Sequence, residues 1–458
     1  MGQKYFGTDG FRGEANVTLF AEQAYRIGRF LGWYYREGAG RRGRIVIGKD
    51  TRLSGYMLEY SVAAGIVASG ADAYMLHVIT TPGVSYVTRQ DSFDCGIMIT
   101  ASHNPYYDNG IKVINSQGEK LSEDVERLME AYIDGDVSAL SISEDDLPRA
   151  QGAALGRICD YDSGRNRYMG YLISLPSNSY RGMKIGLDCA NGATWHIAAA
   201  VFGALGAKCY QIGNEPSGIN INDGCGSTHI ERLSRLVKEK RLDVGFAFDG
   251  DGDRCIAVDE EGRVVDGDAI IYILANRLRD RDALEGGCVA VTVMSNSGFL
   301  ESLERRGIKY ITTAVGDKFV YECMQNGDLS LGGEQSGHII IRKYATTGDG
   351  ILTALMLCEQ MCDEEKRLSE LCEGLTLYPQ HLLNIRVSDK DAAASDDRVK
   401  RAIAAVNEKI GGRGRVLLRK SGTEPVLRVM VECEGDGRCL EYAEEVAEAI
   451  RTGEYFVG

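Results

Sequence analysis

The residues able to do chemistry cluster in five short segments. The first, Thr100-Ala101-Ser102-His103-Asn104-Pro105, puts a hydroxyl beside an imidazole at the end of an apolar run, an arrangement suited to a nucleophile and its proton acceptor. Lys112 follows ten residues later in Gly110-Ile111-Lys112-Val113, where it can supply charge or exchange a proton. The second segment, Asp249-Gly250-Asp251-Gly252-Asp253-Arg254, carries three carboxylates on alternate residues. Their mutual repulsion calls for a cation, and the glycines allow a tight loop to aim all three at one point. Few, hard oxygen ligands fit Mg²⁺, which leaves room for a phosphate oxygen. The segment lacks the downstream glutamate of an EF-hand.

The third segment, Gly332-Gly333-Glu334-Gln335-Ser336-Gly337-His338, combines flexible backbone with Glu334 and Ser336, which can hydrogen-bond sugar hydroxyls. The fourth, Arg419-Lys420-Ser421-Gly422-Thr423-Glu424-Pro425 with Arg428 beyond it, gathers guanidinium forks, hydroxyls and glycine-exposed amides into an anion nest. The fifth, Phe6-Gly7-Thr8-Asp9-Gly10-Phe11-Arg12-Gly13, offers Arg12 as an anion contact. Taken singly, the serine, Glu334 and N-terminal segments read at least as well as polar turns, the basic segment less so and the three-carboxylate segment hardly at all; the weight lies in the set.

These segments need a large scaffold. The chain has 458 residues, enough for three or four domains at about 100–200 residues each. With 44% hydrophobic and 26% charged residues it has the composition of a globular protein. A net charge of −14 excludes general affinity for nucleic acid or anionic membrane, so the basic residues inside motifs matter more than the total. No apolar run nears the roughly 18 residues of a bilayer span, and no basic segment followed by an apolar run opens the chain. Phe6 stands where a myristoylation motif has Ser or Thr. Thirteen cysteines without CxxC pairs point to the reducing cytoplasm, with cysteines as small buried apolar residues; Cys358 and Cys362 read as one helix face.

Short apolar strands alternate with amphipathic helices along most of the chain. Strands are expected at 44–49, 72–79, 95–100, 184–189, 208–212, 244–248, 288–294 and 309–313. Helices are expected at 57–69, 123–133 (capped by Ser122), 194–205, 231–240, 269–279, 296–306 and 350–361. That alternation predicts largely parallel sheets covered on both faces. The polar stretch 136–151 marks a boundary. The last part differs, with strands at 382–387, 416–419 and 427–432, a helix over 392–409 and another over 442–450, the pattern of an antiparallel α+β domain. The expected fold is three α/β domains with mixed, mostly parallel sheets, over 1–150, 151–255 and 256–370, plus a C-terminal α+β domain over 371–458.

The five segments, in this order, resemble the α-D-phosphohexomutase superfamily over the whole chain. FGTDGFRG at the start, the run from Asn104 to Gly110, Gln335 in the third segment and the stretch Asn220-Ile221-Asn222-Asp223-Gly224-Cys225-Gly226-Ser227-Thr228-His229 resemble its phosphoglucosamine mutases. Phosphomannomutase/phosphoglucomutase relatives usually differ at the last two places. Phe11 replaces a commoner isoleucine, which reads as neutral.

The resemblance implies four domains around a central cleft and a phosphorylated Ser102. It implies Mg²⁺ held by that phosphoserine with Asp249, Asp251 and Asp253, and Arg12, His103, Lys112 and Arg254 around the moving group. Val315, Gly316, Asp317 and Lys318 would lie near the substrate, with Glu334 and Ser336 on its hydroxyls. Arg419, Ser421, Gly422, Thr423 and Arg428 would grip the non-reacting phosphate. The implied reaction interconverts glucosamine 6-phosphate and glucosamine 1-phosphate through a 1,6-bisphosphate, with Lys112 or His103 as base and a bisphosphorylated hexosamine or hexose as activator. The expected partner is a small phosphosugar, with no nucleic acid or membrane and with a homodimer possible. The alternatives are a phosphomannomutase/phosphoglucomutase, a metal-dependent phosphatase, and an inactive sugar-phosphate sensor that would have lost one of these residues.

Overall fold

The computed structural model describes residues 4–7, 10–39, 41–140, 142, 145–421, 425–434 and 437–457, with backbone alone for 37–39. They divide into two compact units: Met1–Val293 with Ile311–Glu373, and Met294–Tyr310 with Gly374–Gly458.

The first unit contains three sheets. In the first, Arg44–Lys49 pairs in parallel with Asp72–Val78 on one side and Cys95–Ile99 on the other. Both faces of these strands are covered, so Cys95–Ile99 is buried at every position, as its unbroken apolar run requires. The covering helices Ala21–Ala39 and Gly55–Ala68 approach closely at two glycines. A Cβ on Gly28 would stand 2.1 Å from the Val62 carbonyl oxygen, and one on Gly65 would stand 2.1 Å from that of Tyr25.

The edges depart from the expected parallel pattern. Asp108–Asn115 returns antiparallel beside Cys95–Ile99, and the serine segment is the connection between them. The second sheet has the same plan. Val244–Phe248 is parallel to Lys184–Asp188, then Cys255–Val258 returns antiparallel to it, with the acidic segment as the connection. In the third sheet Leu331–Gly333 runs parallel to Cys288–Thr292, and Ile339–Ile341 returns antiparallel across the Glu334 segment. Each chemistry-bearing loop of this unit therefore joins an antiparallel pair rather than leading into a crossover helix. The return strand at Asp108–Asn115 is hidden in the sequence because it opens on Asp108-Asn109-Gly110, which has the composition of a turn.

The second unit has an antiparallel sheet with Val426–Cys433 between Gln380–Arg386 and Gly414–Lys420. The basic segment again joins an antiparallel pair. The helix expected over 392–409 is two helices, Lys390–Ser395 and Asp397–Ile410. They are broken at Asp396, whose extended backbone lets its side chain accept from the Arg398 amide. Two other expectations fail. Ser122 occupies the N-cap position of Glu123–Ile133 but makes no side-chain cap bond; Glu123, Asp124 and Glu126 instead place negative charge at that positive helix end. Cys433 and Cys439 are joined in a disulfide rather than acting as free apolar residues. Cys358 and Cys362 lie on the helix Gly350–Glu364. No helix among the described residues is long and apolar enough to cross a membrane.

Candidate active site

The serine and acidic loops of the first unit meet. Ser102 is 2% exposed and holds a left-handed backbone, φ 51°, a conformation unusual for a residue with a side chain. Its amide donates to Thr100 Oγ1 at 2.9 Å, and its Oγ donates to Asp249 Oδ2 at 2.6 Å. His103 Nδ1 lies 3.4 Å from the same Oγ. Asp249, Asp251 and Asp253 are buried, with one oxygen of each inside a 4.8 Å span. Burial, then repulsion from Asp253 and Asp251, holds the Asp249 carboxyl well above the usual carboxylate range. Burial pushes Asp251 the same way. The charge and hydrogen bond of Lys112, with a further bond from Thr81, overcome it and hold Asp251 below that range.

Lys112, on the return strand, donates from Nζ to Asp251 Oδ2 at 2.8 Å and lies 3.3 Å from Asp253 Oδ2. Thr81 braces the acidic loop twice, its Oγ1 donating to Asp251 Oδ2 at 2.6 Å and its amide to the Asp251 carbonyl at 2.9 Å. The Arg254 amide donates to Asp249 Oδ1 at 3.2 Å. Asp251 Oδ1 and Asp253 Oδ1 are buried and make no hydrogen bond, which fits oxygens meant for a cation. Three convergent carboxylates with open lone pairs are a donor set for a hard divalent ion.

A cavity of about 660 Å³ opens on this cluster, lined among others by Thr81, Lys112, Asp253, Asp317, Lys318 and His338. The Gly316–Lys318 turn is fixed from two sides. The Gly316 amide donates to Glu334 Oε1 at 3.0 Å, and Asp317 pairs with Lys120 at 2.6 Å. Lys318 pairs with Glu123 at 2.6 Å. Val315 precedes the turn, half-buried, and Ser336 is exposed at the tip of its loop. Arg12 pairs in register with Gly110, two residues before Lys112.

In the second unit, Arg419 and Arg428 are direct cross-strand partners. Like charges placed opposite each other repel, so the pair favours an anion between the forks. Ser421 is buried, its amide donating to the Val426 carbonyl at 3.0 Å. Gly422 and Thr423 lie outside the described residues.

Sequence reasoning missed the residues that hold the loops. Arg52, fully buried, donates to the carbonyls of Ser102, Asn104, Pro105 and Asp108. Asp50 accepts from Arg52 Nε and from Thr100 Oγ1. The signal available was position: Asp50-Thr51-Arg52 follows the strand Arg44–Lys49, next to the serine strand. His338 closes the Glu334 segment. Its Nε2 accepts from the Gly348 amide at 3.3 Å and lies 3.7 Å from Asp317 and 4.0 Å from Asp253.

Four models of one family match the chain in order: phosphoglucomutase/phosphomannomutase domain I over 3–139, domain II over 166–262, domain III over 266–378 and the C-terminal domain over 382–449. A phosphoglucosamine mutase of Lachnospira eligens is 56% identical over 99% of this chain and 100% of its own. One from Geobacillus kaustophilus is 49% identical over 98% of each. The crystal structure of a phosphoglucomutase/phosphomannomutase family protein from Burkholderia thailandensis superposes with a TM-score of 0.79 at 23% identity, over 98% of each chain.

Proposed function

The chain belongs to the phosphoglucomutase/phosphomannomutase family, and from that premise we propose that it interconverts glucosamine 6-phosphate and glucosamine 1-phosphate, using Ser102 as phosphate carrier. The observation that carries this reading is the 2.6 Å contact of Ser102 Oγ with Asp249, inside a buried triad of carboxylates.

Phosphate monoesters break very slowly in water, so the site must stabilise the moving group and keep water out. Asp249, Asp251 and Asp253 would hold Mg²⁺ with the Ser102 phosphate; the ion neutralises charge on the phosphoryl oxygens. Lys112 adds a cation, and Arg12, Arg254 and His103 complete the surroundings. The O1 hydroxyl of glucosamine 6-phosphate attacks phosphorus, the P–Oγ bond of Ser102 breaks, and the hydroxyl proton passes to His103, because Lys112 donates to Asp251 and Asp253 and stays a cation. The resulting 1,6-bisphosphate turns over and returns its 6-phosphate to Ser102. Arg419, Ser421, Gly422, Thr423 and Arg428 grip whichever phosphate is not reacting, and Glu334, Ser336 and the 315–318 turn hold the sugar. A bisphosphorylated hexosamine or hexose recharges Ser102.

The amino sugar suits the cavity. Away from the acidic loop its wall carries five carboxylates against two lysines, Lys120 and Lys318, which favours a ligand that bears an ammonium as well as a phosphate. Eleven free cysteines support a cytoplasmic enzyme, and the Cys433–Cys439 disulfide counts against it.

Intact mass and a coupled assay test the proposal. The wild type should carry a phosphate-sized adduct, need Mg²⁺, turn over glucosamine 6-phosphate faster than glucose 6-phosphate, and release little free phosphate. Ser102→Ala should lose the adduct and at least about a thousandfold in rate. An active alanine variant sinks the carrier role; a preference for glucose 6-phosphate moves the chain to the other branch, and stoichiometric phosphate release makes it a phosphatase.

A further inference from the structure

The stretch Asn220–His229 stands out in the sequence, yet none of its residues enters the chemistry above. In the structure it runs beside both loops that must meet. The Ser227 amide donates to the carbonyl of Phe248 at 2.8 Å, one residue before Asp249. The Asn222 amide donates to the carbonyl of Ala190 at 2.8 Å, anchoring that residue to the second sheet's own loop. From this anchored position the Asn222 side chain reaches the serine loop: Nδ2 donates to the Ser102 carbonyl at 2.9 Å and to the Asn104 carbonyl at 3.1 Å.

Those are the same two carbonyls that Arg52 Nη2 engages, at 2.9 and 2.8 Å, from the first sheet. A carbonyl oxygen has two lone pairs, and here one donor comes from each side. Gly250 of the acidic loop packs against the same point; a Cβ there would stand 2.6 Å from the Ser102 carbonyl oxygen and 3.0 Å from Asn222 Nδ2. Asn222 is 8% exposed and holds φ 58°, a backbone that asparagine adopts more readily than most residues.

We infer that Asn222 is a positioning residue for phosphoryl transfer. It ties the backbone of the serine loop to the body that carries the acidic loop, and so sets the register of Ser102 Oγ against Asp249. Arg52 holds the serine loop to its own sheet, and Thr81 and Lys112 tie that sheet's body to Asp251; Asn222 adds a tie made directly to the serine-loop backbone. In-line transfer tolerates little displacement, and misplacement of about 1 Å can cost about a hundredfold in rate. The inference rests on the proposed role of Ser102, and it makes Asn222 act on rate rather than on substrate affinity, because the amide points at backbone and not into the cavity.

Two variants isolate the amide. Asn222→Gly keeps the positive φ without strain and deletes the donor. Asn222→Asp keeps size and backbone preference and replaces the donor with an acceptor facing two carbonyls. Both should lower kcat by about tenfold or more while KM stays within about twofold. The rate at which the dephosphorylated chain takes phosphate onto Ser102 from glucose 1,6-bisphosphate, followed by intact mass, should fall by the same factor. Melting temperature separates a positioning effect from loss of folded protein, and the activities are compared per folded molecule. Unchanged kcat and phosphate uptake in both variants overturn the inference alone. So does a loss confined to KM, or one that disappears once the folded fraction is counted. A wild-type chain that takes up no phosphate overturns the role of Ser102 and this inference with it.

Discussion

The two places that handle phosphate in the proposed function are built differently. In the first unit Ser102, Asp249, Asp251 and Asp253 are all at most 5% exposed, and other side chains hold them: the buried Thr81 and Thr100 and the half-buried Lys112 directly, the buried Arg52 through backbone carbonyls. In the second unit Arg419 and Arg428 are half-buried on one antiparallel ladder, whose register sets them face to face. The first arrangement fixes dipoles and charges where a bond is to break, in surroundings where they act strongly. The second presents two forks to an anion without fixing which end of the ligand supplies it, which suits a reaction whose intermediate must bind both ways round. In the proposed function, fixation would serve the reacting phosphate and tolerance the waiting one.

The contrast is sharpest in kinetics. Asp251→Asn removes a carboxylate that accepts from both Lys112 and Thr81. It should lower kcat by about a hundredfold to a thousandfold and raise the Mg²⁺ concentration needed for half-activation. Initial rates over a metal titration measure both, and Mn²⁺ binding followed by electron paramagnetic resonance reports the affinity without turnover. Arg419→Ala should act in the other constant, raising KM by about tenfold to a hundredfold through loss of charge-assisted hydrogen bonds and changing kcat less. Steady-state kinetics on both variants decide the matter. If Asp251→Asn acts mainly on KM and Arg419→Ala mainly on kcat, the division of labour between the two places is wrong.

What the sequence revealed follows the same division. Side chains that do chemistry are chosen by type, so the hydroxyl of Ser102, the alternating carboxylates of 249–253 and the guanidinium forks at 419 and 428 could be read directly. Residues that hold the backbone are not. Arg52 and Asn222 donate to carbonyls, which every residue possesses, so nothing in the partner sequence calls for them. The return strands were missed for a related reason. Asp108–Asn115 begins with turn-forming residues, and only the pairing with Cys95–Ile99 makes it a strand. Once that strand is drawn, Lys112 ceases to be one surface lysine among many, since pairing across from Met98 delivers it to the carboxylates. The parallel centres, by contrast, were plain, because strands covered on both faces must be apolar throughout.

A last and smaller effect separates two buried carboxylates, Asp349 in the first unit and Glu432 in the second. Asp349 in the first unit is capped by the Leu352 amide at 2.9 Å and the Tyr168 hydroxyl at 2.8 Å, with no cation among these partners. Burial pushes its carboxyl up to about 6, against the lowering effect of those bonds. Glu432 in the second unit is equally buried but pairs with Arg415 at 2.8 Å and accepts from Gln380 at 2.6 Å and from Ser297. For Asp349 the folded chain keeps a proton that the unfolded chain releases, so stability falls as pH rises from about 4 to about 6 and stays lower above that. Asp349→Asn removes the ionisation while keeping groups that can bond Tyr168 and Leu352. It should therefore raise the melting temperature at pH 8, by the equivalent of about 1–3 kcal/mol, and leave it unchanged at pH 4. Glu432→Gln should do the reverse at pH 8, lowering stability by about 1–3 kcal/mol, because Arg415 then loses its counter-charge. Denaturation of both variants at the two pH values measures this. Opposite signs at pH 8 mean that Asp349 is tolerated without a counter-charge, in a unit that elsewhere pairs Asp50 with Arg52, where Glu432 depends on Arg415; equal signs remove that difference and leave only the kinetic one.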